Sequence, residues 1–357
     1  MEVAATPAGI PEFQAELLIP CGNKLGECPV WDDTRGVLSW IDIQGKGLWQ
    51  YDPRGTVEDC RSFTLPSRPG SFCIAESGEY ILALEDGLYF FDPSTGDLRR
   101  IPQEFVPKGC RLNDGRVDPE GRFVVSGTVE KGEEPLAAVY RLNTDCSVEK
   151  LLDKVRCGNS ICFSDNGSMF FADPAFHSEH GDFAGETGSA NCIWQFPDYQ
   201  TTGLSGPSHI FVDAGSRPDG SIIDAEGGLW NAEFGTGRVV RYLPDGSVSM
   251  VVKVPVRYTT CAAFGGEDMQ TLYITDATVF AHQRMSKKRR EELPEGYAGG
   301  LFSVRLPVKG LPERKFAGRL QGEKCHAAAL IGGERQERNP TTPREGYGGN
   351  EQHDLHV

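Results

Sequence analysis

Asp118-Pro119-Glu120-Gly121-Arg122-Phe123-Val124-Val125 is a polar turn that ends in glycine and leads into a short apolar strand. The pattern recurs along the chain. Asp33-Thr34-Arg35-Gly36 precedes Val37-Leu38-Ser39-Trp40, and Glu76-Ser77-Gly78 precedes Tyr80-Ile81-Leu82. Asp165-Asn166-Gly167 precedes Met169-Phe170-Phe171, and Asp224-Ala225-Glu226-Gly227 precedes Leu229-Trp230. Successive turn glycines lie 42, 43, 46 and 60 residues apart, and Gly266-Glu267-Asp268 before Leu272-Tyr273-Ile274 is a degenerate sixth copy. A second turn follows in each copy: Tyr51-Asp52-Pro53, Phe91-Asp92-Pro93, Leu142-Asn143, Phe196-Pro197-Asp198, Leu243-Pro244-Asp245 and Leu306-Pro307. Each unit therefore reads as four antiparallel strands at a period of ~40–50 residues, the signature of a propeller blade. Six copies predict an all-β, six-bladed β-propeller. A β-sandwich gives no reason for turns to repeat at this interval.

Composition agrees. The 357 residues contain 43 Gly and 23 Pro, far above average without a collagen period, which means many turns. Hydrophobic residues at 39% are enough for a buried core. The net charge of −15 argues against a nucleic-acid partner and suits cation binding. No apolar run approaches the ~20 residues of a membrane span. Met1 to Glu16 lacks the basic start and apolar stretch of a signal peptide. The 11 cysteines show no CxxC pair, so a reducing, cytoplasmic setting is expected. The expected layout is a tail over 1–13, a monomeric propeller over 14–318 with an insertion at about 177–207, and a polar tail over 319–357. The basic run Lys287-Lys288-Arg289-Arg290 reads as a solvated helix face.

In a propeller, equivalent positions of the blades surround one axis. Eight residues before Gly78, Gly121, Gly167 and Gly227 stand Gly70, Asn113, Asn159 and Asp219, and nine before Gly36 stands Glu27. Two carboxylates and two carboxamides thus share nearly one register. Oxygen ligands of this kind suit Ca²⁺, Mg²⁺ or Mn²⁺, and the absence of His counts against a zinc-only site. A turn-forming role competes for Asn113-Asp114-Gly115 and Pro218-Asp219-Gly220. Glu27 has no such excuse, because Glu is a poor turn former. Gly-x-Ser-x-Gly does not occur, and His177, His180, His209, His282 and His326 sit in unlike contexts, so no nucleophile triad is indicated.

At these residues the sequence resembles the regucalcin/gluconolactonase (senescence marker protein) family of six-bladed propellers. The matching stretches are Leu25-Gly26-Glu27-Cys28-Pro29-Val30-Trp31, Arg111-Leu112-Asn113-Asp114-Gly115, Gly158-Asn159-Ser160, Arg217-Pro218-Asp219-Gly220 and Ala263-Phe264-Gly265-Gly266. The resemblance implies metal ligands at Glu27, Asn159 and Asp219, and substrate contacts from Arg111 and Asn113. It also implies an acidic substrate contact after Gly127-Thr128, for which Glu130 is favoured over Glu133 and Glu134. Cys28 and Ser160 stand where the family often has Gly.

The activity implied is hydrolysis of a sugar-acid lactone, a small-molecule substrate, with one divalent cation (Ca²⁺, Mg²⁺, Mn²⁺ or Zn²⁺) and Asp219 as both ligand and general base. Two other readings stay open: a hydrolase of a non-sugar lactone or ester, and a non-catalytic calcium-binding propeller.

Overall fold

The turn glycines earn their place through backbone geometry. In the computed structural model, Asp118 Oδ1 accepts the backbone N–H groups of Glu120 and Arg122, both at 3.0 Å, and this closes the turn. Gly121 then adopts φ +74°, in the left-handed region where a side chain is strained. Asp224 closes its turn in the same way over Glu226 and Gly228. Residues 6, 8–132, 134–176, 189–279 and 293–319 are described, together with the backbone of Ala327–Ala328.

Six antiparallel sheets follow one another along the chain, so the fold is a six-bladed β-propeller with four-stranded blades. The inner strands are Gly26–Asp32, Pro69–Ile74, Cys110–Val117, Asn159–Phe163, Arg217–Ile223 and Thr259–Gly265. They pack side by side around the axis, the sixth against the first. Apolar layers fill the gaps between blades. Val124 and Val139 of blade 3, for example, meet Phe163, Phe171, Trp194 and Phe196 of blade 4. Burying a side chain of this size contributes roughly 1.5–3 kcal/mol.

Blade 6 departs from the repeat. Its own segment supplies three strands, and the outermost is Glu16–Ile19 from the start of the chain, with Leu17 opposite Phe302. The preceding strand, Glu12–Gln14, runs parallel to Val248–Lys253 and adds a fifth strand to blade 5. Glu12 and Phe13 therefore belong to a sheet and not to the expected tail. The insertion expected over 177–207 also contains blade: Cys192–Phe196 is the third strand of blade 4, with Trp194 opposite Phe171. Residues 177–188, the basic run at 287–290 and nearly all of the 319–357 segment lie outside the described residues. Within that last segment, Ala327–Ala328 pairs with Leu98–Arg100 of blade 2.

Beneath the ring, residues 306–317 cross the face that carries the turn glycines. Gly310 N–H bonds to Met269 O, Ala225 N–H to Lys309 O, Phe316 N–H to Ile74 O and Ala317 N–H to Gly121 O, all at 2.8–2.9 Å. Glu313 pairs with Arg116, a residue of the blade 3 inner strand. The strap covers this end of the axis.

Candidate functional site

At the opposite end the inner strands are irregular. Each breaks register near its start: between Glu27 and Val30, Leu112 and Gly115, Asn159 and Cys162, and Pro218 and Ser221. Such bulges re-aim side chains that a regular ladder would alternate between faces. Cys28 and Ser160 sit at these bulges with φ +46° and +57°, a conformation that explains why glycine is at home there. Asn113-Asp114-Gly115 and Pro218-Asp219-Gly220 lie within inner strands, so neither is a free-standing hairpin turn. Blade 2 offers no ligand: a Cβ on Gly70 would lie 2.2 Å from Leu112 O, so only glycine fits. Blade 6 has Thr260 instead, which donates to Gly26 O of blade 1.

The side chains of two neighbouring blades are linked. Asn113 Nδ2 donates to Asn159 Oδ1 at 2.9 Å and to Gly158 O at 3.0 Å. Arg111 Nη1 donates to Asn113 Oδ1 at 2.8 Å and to Leu112 O at 3.0 Å. Arg111, Asn113, Asn159 and Asp219 are buried, and Glu27 is half-buried. Burial, and then the neighbouring Asp114, pushes Glu27 up to about 8. Burial, followed by Glu27 and Asp114, holds Asp219 well above the usual carboxylate range. Arg217 and Arg111 oppose the shift of Asp219 without outweighing it.

That arrangement fits a divalent cation. A buried carboxylate, Asp219, repelled by the half-buried Glu27 and sharing a cavity with Asn159, whose Oδ1 keeps a second lone pair, offers an oxygen donor set that a positive charge would relieve. Among the described residues no three His, Cys, Asp or Glu side chains form a metal-binding group. The set here is two carboxylates and a carboxamide, which suits a hard ion.

Glu130 stands one step away. Arg68 grips its carboxylate with both terminal nitrogens, at 2.6 and 2.7 Å, and Arg111 Nε lies 3.6 Å off. Arg68 pairs with Glu85 as well. Glu133 lies outside the described residues. Two neighbours went unnoticed in the sequence. Arg68 is one. The other is Asp114, whose Oδ2 accepts the Ile161 N–H at 2.8 Å and whose pKa burial raises to about 6. Its place directly after Asn113 was the available signal, masked by the resemblance of Asn-Asp-Gly to a turn. A small cavity opens beside Asp219 and Asn159, lined also by Cys157, Pro174, Arg217 and Phe234.

Comparison with known proteins agrees with this architecture. A sequence model described as the SMP-30/gluconolactonase/LRE-like region matches residues 25–278. The L-arabinolactonase of Azospirillum brasilense is 36% identical over 318 residues, covering 87% of this chain and 98% of that protein. Regucalcin of Xenopus laevis is 32% identical over 320 residues, covering 86% of this chain and 99% of its own. The crystal structure of regucalcin from Agrobacterium tumefaciens, a calcium-binding protein, superposes with a TM-score of 0.74 at 28% identity, covering 87% of this chain and 99% of that one. With the family match extending over most of the chain, from the first blade into the sixth, and full-length relatives above 30% identity, the protein belongs to the SMP-30/gluconolactonase/LRE-like family.

Proposed function

We propose that this chain hydrolyses the lactone of a sugar acid at a divalent-cation site made by Glu27, Asn159 and Asp219, with Asp219 as general base. The observation that carries the reading is that Asn159 and Asp219 line one cavity, with Glu27 near enough to Asp219 to act on its charge and the linked pair Arg111 and Asn113 bonded to Asn159. A relative named L-arabinolactonase supports a hydrolase of carboxylic ester bonds, and a calcium-binding relative supports a divalent cation.

A bound divalent cation supplies Lewis-acid polarisation of the lactone carbonyl and a lower pKa for water. Glu27 and Asn159 give oxygens to hold it, and Asp219 gives a third. Asp219 takes a proton from the attacking water, whose oxygen bonds to the carbonyl carbon. The ring C–O bond then breaks, and the ring oxygen leaves as a hydroxyl carrying a proton equivalent to the one Asp219 received. Arg111 and Asn113 donate to the sugar hydroxyls, and Arg111 steadies the new carboxylate. Glu130 sets the direction of Arg111 and Arg68 through its ion pairs.

The protein acts as a monomer in a reducing compartment on this reading, and the ten described cysteines, all free thiols, support that setting. No described helix is long and apolar enough to cross a membrane. A non-sugar lactone or ester is the second reading, favoured by the apolar wall of Ala172, Pro174 and Phe234 in the cavity. A panel of sugar and non-sugar lactones, assayed with a pH indicator after chelation and reloading with each of Ca²⁺, Mg²⁺, Mn²⁺ and Zn²⁺, tests both. Turnover of sugar lactones dependent on the ion is the expected result, and no turnover with any ion overturns it.

A further inference from the structure

Lys24, Arg68, Arg111, Arg156, Arg217 and Arg257 each stand two or three residues ahead of the inner-strand positions Glu27, Gly70, Asn113, Asn159, Asp219 and Thr260. Every blade thus brings one cation to the same end of the axis, in a chain whose net charge is −15. Carboxylates reach the same end: Asp42, Asp173, Glu233 and Asp276 lie at or next to the register partners of the inner-strand starts, and Glu85 and Glu130 pair with Arg68, so what matters is which cations they leave unpaired.

These cations are not equally occupied. Arg68 and Arg111 are balanced by Glu85 and Glu130. Arg156 and Arg257 bond only to backbone carbonyls, Gly132 O at 3.2 Å and Gly235 O at 2.8 Å. Lys24 and Arg217 are exposed and have no side-chain ion pair or hydrogen bond among the described residues. Arg217 also lines the cavity that holds Asn159 and Asp219. The one other carboxylate of that cavity, Asp173, is engaged by the backbone N–H groups of Arg156, Cys157 and Ala175 at 2.6–2.8 Å. With Glu27 and Asp219 offset by a divalent cation, Arg217, whose charge otherwise acts on Asp219, is left without a carboxylate partner in the cavity.

We infer that the substrate carries a negatively charged group, a carboxylate or a phosphate, away from its lactone ring, and that Arg217 receives this group. Arginine presents a planar fork of donors that matches carboxylate and phosphate oxygens. The inference rests on the lactonase reading for its chemistry, and its charge preference can be measured separately.

The test compares the cation-loaded enzyme on two matched pairs: glucono-1,5-lactone with its 6-phosphate, and glucono-1,4-lactone with glucaro-1,4-lactone. The anionic member of at least one pair should be preferred in kcat/KM by roughly tenfold, and raising the salt to 0.5 M should shrink the preference, because the exposed charge of Arg217 is screened (the Debye length is then under about 8 Å). Arg217→Gln should lower the ratio at least about fivefold, and Arg217→Glu should lower it further. Equal kcat/KM within both pairs overturns the inference, as does a preference that Arg217→Gln leaves intact. Calorimetric binding of 6-phosphogluconate against gluconate gives the second readout. If no lactone is turned over, the hydrolase reading fails and binding alone decides: tighter binding of the phosphate, lost in Arg217→Gln, upholds the anion site, and equal binding ends it.

Discussion

The hydroxyl of Ser160 donates to the backbone carbonyl of Asp219 at 2.6 Å, so the residue that follows one metal-ligand candidate fastens the backbone of another in the next blade. The device recurs around the axis. Ser71 Oγ donates to Asn113 O at 2.6 Å, and Thr260 Oγ1 donates to Gly26 O beside Glu27. Each bond runs from one inner strand to its neighbour, and together they fix the spacing on which a shared ligand set depends.

Ser160→Ala removes that fastening without disturbing any candidate ligand. A buried hydrogen bond contributes about 1 kcal/mol, and the Asp219 carbonyl would lose this partner. The melting temperature should fall by a few degrees, and calcium affinity measured by calorimetry should weaken several-fold. Unchanged affinity would mean that blade packing alone positions Asp219.

Asp219→Asn keeps the size of the side chain and one oxygen ligand while removing a charge and the base. A loss of ~10²-fold or more in kcat is expected, the range of general-base catalysis, with the circular dichroism spectrum preserved. An Asn variant with full turnover and full metal affinity would remove Asp219 from the site.

Arg111→Ala should separate binding from metal affinity. Its guanidinium holds Asn113 Oδ1 and lies near Glu130, so truncation removes substrate donors and loosens Asn113. The expected outcome is a kcat/KM reduced by at least about tenfold with calcium affinity almost unchanged. A parallel collapse of metal affinity would make Arg111 part of the framework of the ion site.

Chelation with excess EDTA should abolish hydrolysis and lower the melting temperature, and added divalent cation should restore both. An ion that binds only the folded state stabilises it by mass action, by roughly 2.7 kcal/mol at a hundred times its Kd. Full activity in protein shown to be metal-free by elemental analysis would require a different mechanism.

Asp276 gives a stability prediction away from the proposed ligands. Burial pushes its carboxyl up to about 7, although it accepts the Gly299 N–H at 2.9 Å. A folded-state value above the unfolded one means that folding favours the protonated form. This contribution is complete below about pH 4 and is lost as pH rises through about 7, by at most ~1.4 kcal/mol per unit. Asp276→Asn does not titrate, so the stability of wild type relative to this variant should decline between pH 5 and pH 7 in denaturant titrations. A constant difference would show that Asp276 ionises in the fold as it does in water.

The repeat was legible because the turns leave a residue signature: Gly121 and Gly227, at φ +74° and +80°, occupy backbone states that most side chains avoid. The register of Glu27, Asn113, Asn159 and Asp219 could be counted from those same glycines. What escaped was non-local or disguised. Nothing in the sequence of Glu16–Ile19 announces Leu301–Arg305 as its partner, because pairing across the whole ring carries no local signature. Asp114 was hidden by Asn-Asp-Gly, which spells a turn until a bulge between Leu112 and Gly115 puts it inside a strand. Arg68 needs Glu130 beside it to acquire meaning, and their proximity exists only once blades 2 and 3 have packed.

The seam at Glu16–Ile19 has a consequence for how the chain is made. A ribosome releases this segment first and its partner Leu301–Arg305 some 285 residues later. Until then the first blade lacks its neighbour on one side, and the growing chain presents an open β-edge and an apolar interface to its surroundings. Completion of the propeller is therefore a late event in synthesis, and a translation product that stops short of Arg305 is left with its ring unfastened, an obvious substrate for chaperones and proteases.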